Sequence, residues 1–180
     1  DQPSSVLIML FPLIANVFYG TRIHPKMPRL KDIPVVKNFV VAISWALITT
    51  LLPAAHVSGM TNVVVLVFYF MFVKVFINAI LYNIRDVRGD VEMGVRTMPV
   101  LLGTRNTTLI LVAINCTLLP WLAYVGPSLR TLAALMVIHG FAYIIYFRKP
   151  RSAIALDLFV DGQWMIVVLI FLLLKGLGIA

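Results

Sequence analysis

The sequence predicts an all-α polytopic membrane protein with six transmembrane helices. Three observations predict it. Of the 180 residues, 61% are hydrophobic and 12% charged, which excludes an ordinary soluble domain, where about a quarter of residues carry charge. The apolar residues run on over the roughly 20 positions a helix needs to cross the hydrocarbon. The basic residues collect in alternate connections, the pattern that holds loops on the cytoplasmic side.

In chain order the predicted spans cover 4–20, 37–56, 62–83, 107–125, 129–147 and 155–175. Pro12, Pro53 and Pro120 interrupt three of them, which a span tolerates when neighbouring helices or water satisfy the freed carbonyl. The first connection carries Arg22, Lys26, Arg29, Lys31 and Lys37. The connection after the third span carries Arg85, Arg88, Arg96 and Arg105, and the one after the fifth Arg148, Lys149 and Arg151. Between them, Val57 to Thr61 has no basic residue and Gly126 to Arg130 has one. The three basic connections, the aspartate-bearing one included, are therefore expected on the cytoplasmic face. The formal net charge of +8 is mostly this topology signal. Short loops between spans make no folded basic face for nucleic acid. With no polar linker and no repeat, residues 1–180 read as a single transmembrane domain. The chain opens Asp1-Gln2-Pro3 without a methionine or a cleavable leader, and is expected to be the C-terminal part of a longer polypeptide. Cys116 is the lone cysteine. It has no internal disulfide partner and reads as a small buried residue.

The chemistry concentrates after the third span, in Tyr82-Asn83-Ile84-Arg85-Asp86-Val87-Arg88-Gly89-Asp90, running on to Gly94, Arg96, Thr97, Pro99 and Gly103. If the helix continues, Asp86 and Asp90 share one face. Two carboxylates at a membrane surface suit magnesium, which takes one or two carboxylates together with water and substrate phosphate oxygens. Arg85, Arg88 and Arg96 would neutralise the remaining phosphate charge. A bare pair of acids four apart is more often a solvated face.

The surrounding residues, N-I-R-D-V-R-G-D-V-E-M-G-V-R-T-M-P-V-L-L-G, resemble the second aspartate-rich motif of the UbiA superfamily of intramembrane prenyltransferases. That resemblance implies a bundle of nine spans, of which these six would be the fourth to ninth. It also implies Mg2+ as cofactor, held by Asp86 and Asp90, an allylic polyprenyl diphosphate as donor, and a hydrophobic or aromatic acceptor drawn from the bilayer. Asp86 and Asp90 would be catalytic, with Asn83, Arg85, Arg88 and Arg96 binding substrate. The family's first motif, N-x-x-x-D-x-x-x-D, does not occur here, so the chain alone is expected to be inactive. A second correspondence places Tyr19 at the end of a span, followed by Arg22 and Lys26 and by the basic stretch up to Asn38. The family's Tyr-x-x-x-Lys spacing is absent because position 23 is Ile, which leaves Arg22 and Lys26 as alternative candidates for the diphosphate contact.

Inside the spans, Lys74, Asn78 and Tyr82 recur every four residues toward Asp86. The stripe is expected to line a cavity, because a charge facing lipid is costly. Asn78 reads equally well as a hydrogen bond between helices. His139 reads as a bundle histidine. Asp157 and Asp161 fit a helix N-terminus and its dipole and stay outside the predicted site. One alternative is a transporter or channel whose polar path is lined by Lys74, His139 and the aspartates. A phosphoalcohol transferase would need an Asp-Gly-x-x-Ala-Arg run, which Asp161-Gly162-Gln163-Trp164 does not supply.

Overall fold

The computed structural model describes residues 3–21, 33–57 and 61–178. It is all-α, with no strand among the described residues. Helix α1 spans Pro3–Gly20, α2 Val36–Ala46, α3 Leu52–Val57, α4 Asn62–Glu92, α5 Met98–Cys116, α6 Leu118–Trp121, α7 Pro127–Tyr146, α8 Ala153–Leu156 and α9 Gln163–Gly176. Among the described residues four units are long and apolar enough to cross a membrane, or five if the bent α8–α9 pair counts as one span. The first predicted span, 4–20, is helical as α1, but its described apolar stretch is the shorter Ser5–Ala15. Large apolar side chains such as Leu7, Leu13, Met165 and Leu172 stay exposed, as befits surfaces solvated by lipid.

Helix α4 is the axis of the molecule. Its 31 residues give about 46 Å at 1.5 Å per residue, well beyond a hydrocarbon core of about 30 Å. The predicted span 62–83 is therefore only its first part, and the turns bearing Arg85, Asp86 and Asp90 project past it. Ile77, Ile80, Leu81 and Ile84 are fully buried against α2, α5, α7 and α9, alongside Ala42, Leu111, Ile144 and Val167. Thr61 caps the start by accepting the Val64 N–H.

The end of α4 explains a glycine of the motif. Gly94 has φ 67°, a conformation open to glycine at little cost. Its N–H bonds to the Val91 carbonyl, and the Val95 N–H to that of Asp90, the paired bonds of a Schellman cap. The reversal brings Thr97 back so that its hydroxyl donates to the Asp90 carboxylate at 3.0 Å.

Three breaks shape the remaining spans. Pro53 has no N–H for the Thr49 carbonyl, and the chain opens into a π-helical turn over Leu47–Leu51 between α2 and α3. Gly103, at φ 77°, breaks α5. Asn106 and Thr107 then donate to the Leu102 and Gly103 carbonyls that the break frees. Asp157–Asp161 forms a second π turn between α8 and α9, which meet at 49°. It closes with the Gly162 N–H on the Asp157 carbonyl at 2.9 Å. A Cβ on Gly162 would lie 2.2 Å from the Leu158 carbonyl oxygen, so the turn requires glycine there.

Candidate functional site

Between α2, α4 and the start of α9 lies a cavity of about 670 Å³. α2 contributes Lys37, Asn38, Val41 and Trp45, and the π turn that continues it contributes Thr49; Lys37, Val41, Trp45 and Thr49 recur every four residues, which aligns one helix face. α4 contributes Met71, Val75, Asn78, Ala79, Tyr82, Asn83 and Asp86, and the far wall is Asp161 and Trp164. Asn83 Nδ2 donates to Asn38 Oδ1 at 3.2 Å, which joins the polar ends of the two helices. The cavity is thus graded. Lys37, Asn38, Asn83 and Asp86 gather at one end, and Val41, Trp45, Met71 and Val75 line the other.

Asp86 and Asp90 both lie on the helix proper, four residues apart, yet only Asp86 reaches the cavity. Arg85 binds the Asp86 carboxylate through two bonds, Nε to Oδ1 at 2.6 Å and Nη2 to Oδ2 at 2.8 Å. On these turns beyond the predicted span, that hydrogen bonding holds the Asp86 carboxyl below the usual carboxylate range. The Arg85 guanidinium also covers the Tyr82 ring at 4.9 Å. Asp90 is turned aside to Thr97. Arg88 and Arg96 are exposed and do not line the cavity. Arg22, Lys26 and the Tyr19 side chain lie outside the described residues.

Asn78 unites both of its expected roles. It lines the cavity, and it also ties three helices together. Its Nδ2 donates to the Val160 carbonyl at 3.4 Å, while its Oδ1 accepts from the Tyr143 hydroxyl at 3.2 Å and from Gln163 Nε2 at 3.3 Å.

Lys74 corrects the expected polar stripe. It is fully buried and absent from the cavity wall. Its Nζ donates to the Met136 carbonyl at 3.1 Å and lies 4.6 Å from the Tyr143 ring centre. Gly140 leaves the room for it, since a Cβ there would stand 3.0 Å from Nζ and 2.6 Å from Asn115 Oδ1. The geometry is that of helix packing. Replacing a buried, unpaired cation by an apolar chain of similar length relieves its desolvation. Lys74→Met is expected to melt no lower than wild type and to keep activity within about threefold; a large loss of activity without unfolding would return Lys74 to the site.

Asp157 and Asp161 were expected only to complement a helix terminus. The structure brings both to Tyr82, whose hydroxyl lies 2.9 Å from Asp157 Oδ1 and 2.5 Å from Asp161 Oδ2. His139 packs edge-on to Tyr143 at 5.3 Å, beside a smaller aromatic pocket of about 370 Å³. Spacing alone did not flag Lys37, Asn38, Trp45, Thr49, Asp161 or Trp164 as cavity residues. The usable signal was the four-residue repeat of Lys37, Val41, Trp45 and Thr49 along α2 and the π turn that follows it.

A model of the UbiA prenyltransferase family matches residues 2–174 of the chain. No curated protein and no solved structure matches it.

Proposed function

Because the chain belongs to the UbiA prenyltransferase family, we propose that it serves as an intramembrane prenyltransferase. It moves an isoprenyl group from an allylic polyprenyl diphosphate to an aromatic or lipid acceptor, as quinone, chlorophyll, haem or ether-lipid biosynthesis requires. The observation that carries this reading is the polarity gradient of the cavity. A diphosphate lipid is anionic at one end and apolar along its length. The end bearing Lys37, Asn38, Asn83 and Asp86 suits the head group, and the wall of Val41, Trp45, Met71 and Val75 suits the tail. The apolar depth also shelters an allylic cation from water. The basic connections support a cytoplasmic position for the Asp86 end.

The donor set suits magnesium. The exposed Asp86 carboxylate stands in the cavity wall one turn from the Asn83 amide, and magnesium takes one or two carboxylates, with waters and substrate phosphates completing its shell. Among the described residues no group of three or more His, Cys, Asp or Glu side chains is gathered for a metal, so substrate oxygens would supply much of the coordination. Asp86 and Asn83 would hold the ion, with Asp90 one turn beyond. Bound there, magnesium supplies charge that stabilises the departing diphosphate. Arg85 would exchange Asp86 for a phosphate oxygen, its planar fork suiting either partner. Lys37 would add a cation on the opposite wall. A transporter path through Lys74 loses its main support, because Lys74 faces α7 and not the cavity.

The test uses the complete gene product in lipid nanodiscs. Magnesium-dependent release of diphosphate from geranylgeranyl diphosphate, abolished by a chelator, is the expected result. Transport of a solute without any such release would favour the transporter.

A further inference from the structure

We propose that Asp161 accepts the proton that the acceptor surrenders during prenyl transfer, an inference that rests on the prenyltransferase reading. Asp161 is exposed and forms the cavity wall on a different helix from Asp86. It is not part of the sequence motif.

The Tyr82 oxygen contacts both Asp157 and Asp161. A phenol carries a single proton to donate. It can satisfy only one of the two carboxylates at a time, which leaves the other open to accept a proton. The groups facing Asp161 are Tyr82 and Arg85 from α4, Asp157 on its own turn, and Asp86 and Lys37 on the same cavity. An independent observation on the opposite wall points to a ligand in the same space. Asn38 lines the cavity at 3% exposure, and with its Oδ1 taken by Asn83 its Nδ2 has no partner among the described residues. That unused donor suits an oxygen of a bound substrate.

The step balances without redox change. The allylic C–O bond breaks, and its electron pair leaves on the diphosphate. A lone pair or π pair of the acceptor forms the new bond to the allylic carbon. The proton on the acceptor's hydroxyl or ring carbon passes to the Asp161 carboxylate. The acceptor class is therefore a hydroxylated aromatic or an alcohol with a removable proton at the prenylated position.

The test separates ionisation of the donor from transfer. The complete gene product is given geranylgeranyl diphosphate and whichever hydroxylated aromatic acid or glyceryl phosphate the wild type prenylates, and diphosphate release and prenylated product are both followed. Asp161→Asn is expected to keep magnesium-dependent diphosphate release within about tenfold, as water captures the cation. Transfer should fall roughly 10²–10⁴-fold, the range for loss of a general base, and Asp161→Glu should restore part of it. Transfer by Asp161→Asn at the wild-type rate would overturn the inference. So would a parallel fall of release and transfer in a variant that melts like wild type. Absence of diphosphate release from wild type would remove the prenyltransferase reading itself, and the inference with it.

Discussion

Asp86→Asn is expected to abolish magnesium-dependent diphosphate release while leaving the fold intact. Asp86 carries the one carboxylate of the motif that lines the cavity, and it is exposed with its oxygens engaged, among the described residues, by Arg85 alone. The amide keeps the shape and loses the charge that a divalent ion requires. Losing one preorganised electrostatic contact to developing charge costs about 10²–10³ in rate, and loss of the metal adds to that. Because Asp86 is exposed and Arg85 only half-buried, an ion pair of this kind adds little to stability, so the variant should melt close to wild type. Asp90→Asn is expected to lose less, since Asp90 is turned to Thr97. Equal losses at the two positions would mean that both carboxylates reach the ion once substrate binds. Wild-type diphosphate release by Asp86→Asn would refute the assignment of the head-group end.

The second large effect falls on stability. Asn83 and Asn38 are 7% and 3% exposed and bond to each other across α4 and α2. Asn83→Leu would leave both polar atoms of the Asn38 amide unpaired in the bundle. An unsatisfied buried group costs about 1–3 kcal/mol, so the variant should melt well below wild type. The partner substitution Asn38→Leu should act similarly. The double variant should recover much of the loss, because replacing both partners by apolar groups is nearly neutral. A thermal-melting cycle over the four proteins checks this, and strict additivity would show that the two amides do not depend on each other. Activity should not return in the double variant, since the cavity would have lost its amides at the head-group end.

Much of this fold was legible because lipid imposes long apolar runs that survive any detail of packing. The boundaries were less so. The span predicted at 107–125 begins as a helix at Met98. Arg105, Asn106, Thr107 and Thr108 look like a loop in one dimension, yet the last three donate to the carbonyl four residues back. Lys74 was misplaced for a geometric reason. A step of four residues advances about 400° around a helix of 3.6 residues per turn, so an apparent stripe drifts by about 40° per step. Over the three steps from Lys74 to Asp86 the drift is near 120°, enough to turn Lys74 to α7 while Asp86 meets the cavity. Asp161 was hidden differently. It is nearly 80 residues from Tyr82 in sequence, and only the π turn closed by Gly162 carries it to that hydroxyl.

The orientation of the donor is tested most directly by site-directed thiol labelling. Cys116 is the lone cysteine and is exposed, so it is first replaced by serine. Single cysteines are then placed at Lys37, in the polar end, and at Thr49, in the π turn beyond Trp45. Labelling is measured with magnesium and either inorganic diphosphate or a non-ionising thio-analogue of the allylic diphosphate. The account predicts that both ligands protect position 37, whereas only the analogue, through its tail, protects position 49. Protection of position 49 by inorganic diphosphate, or of neither position by the analogue, would contradict it.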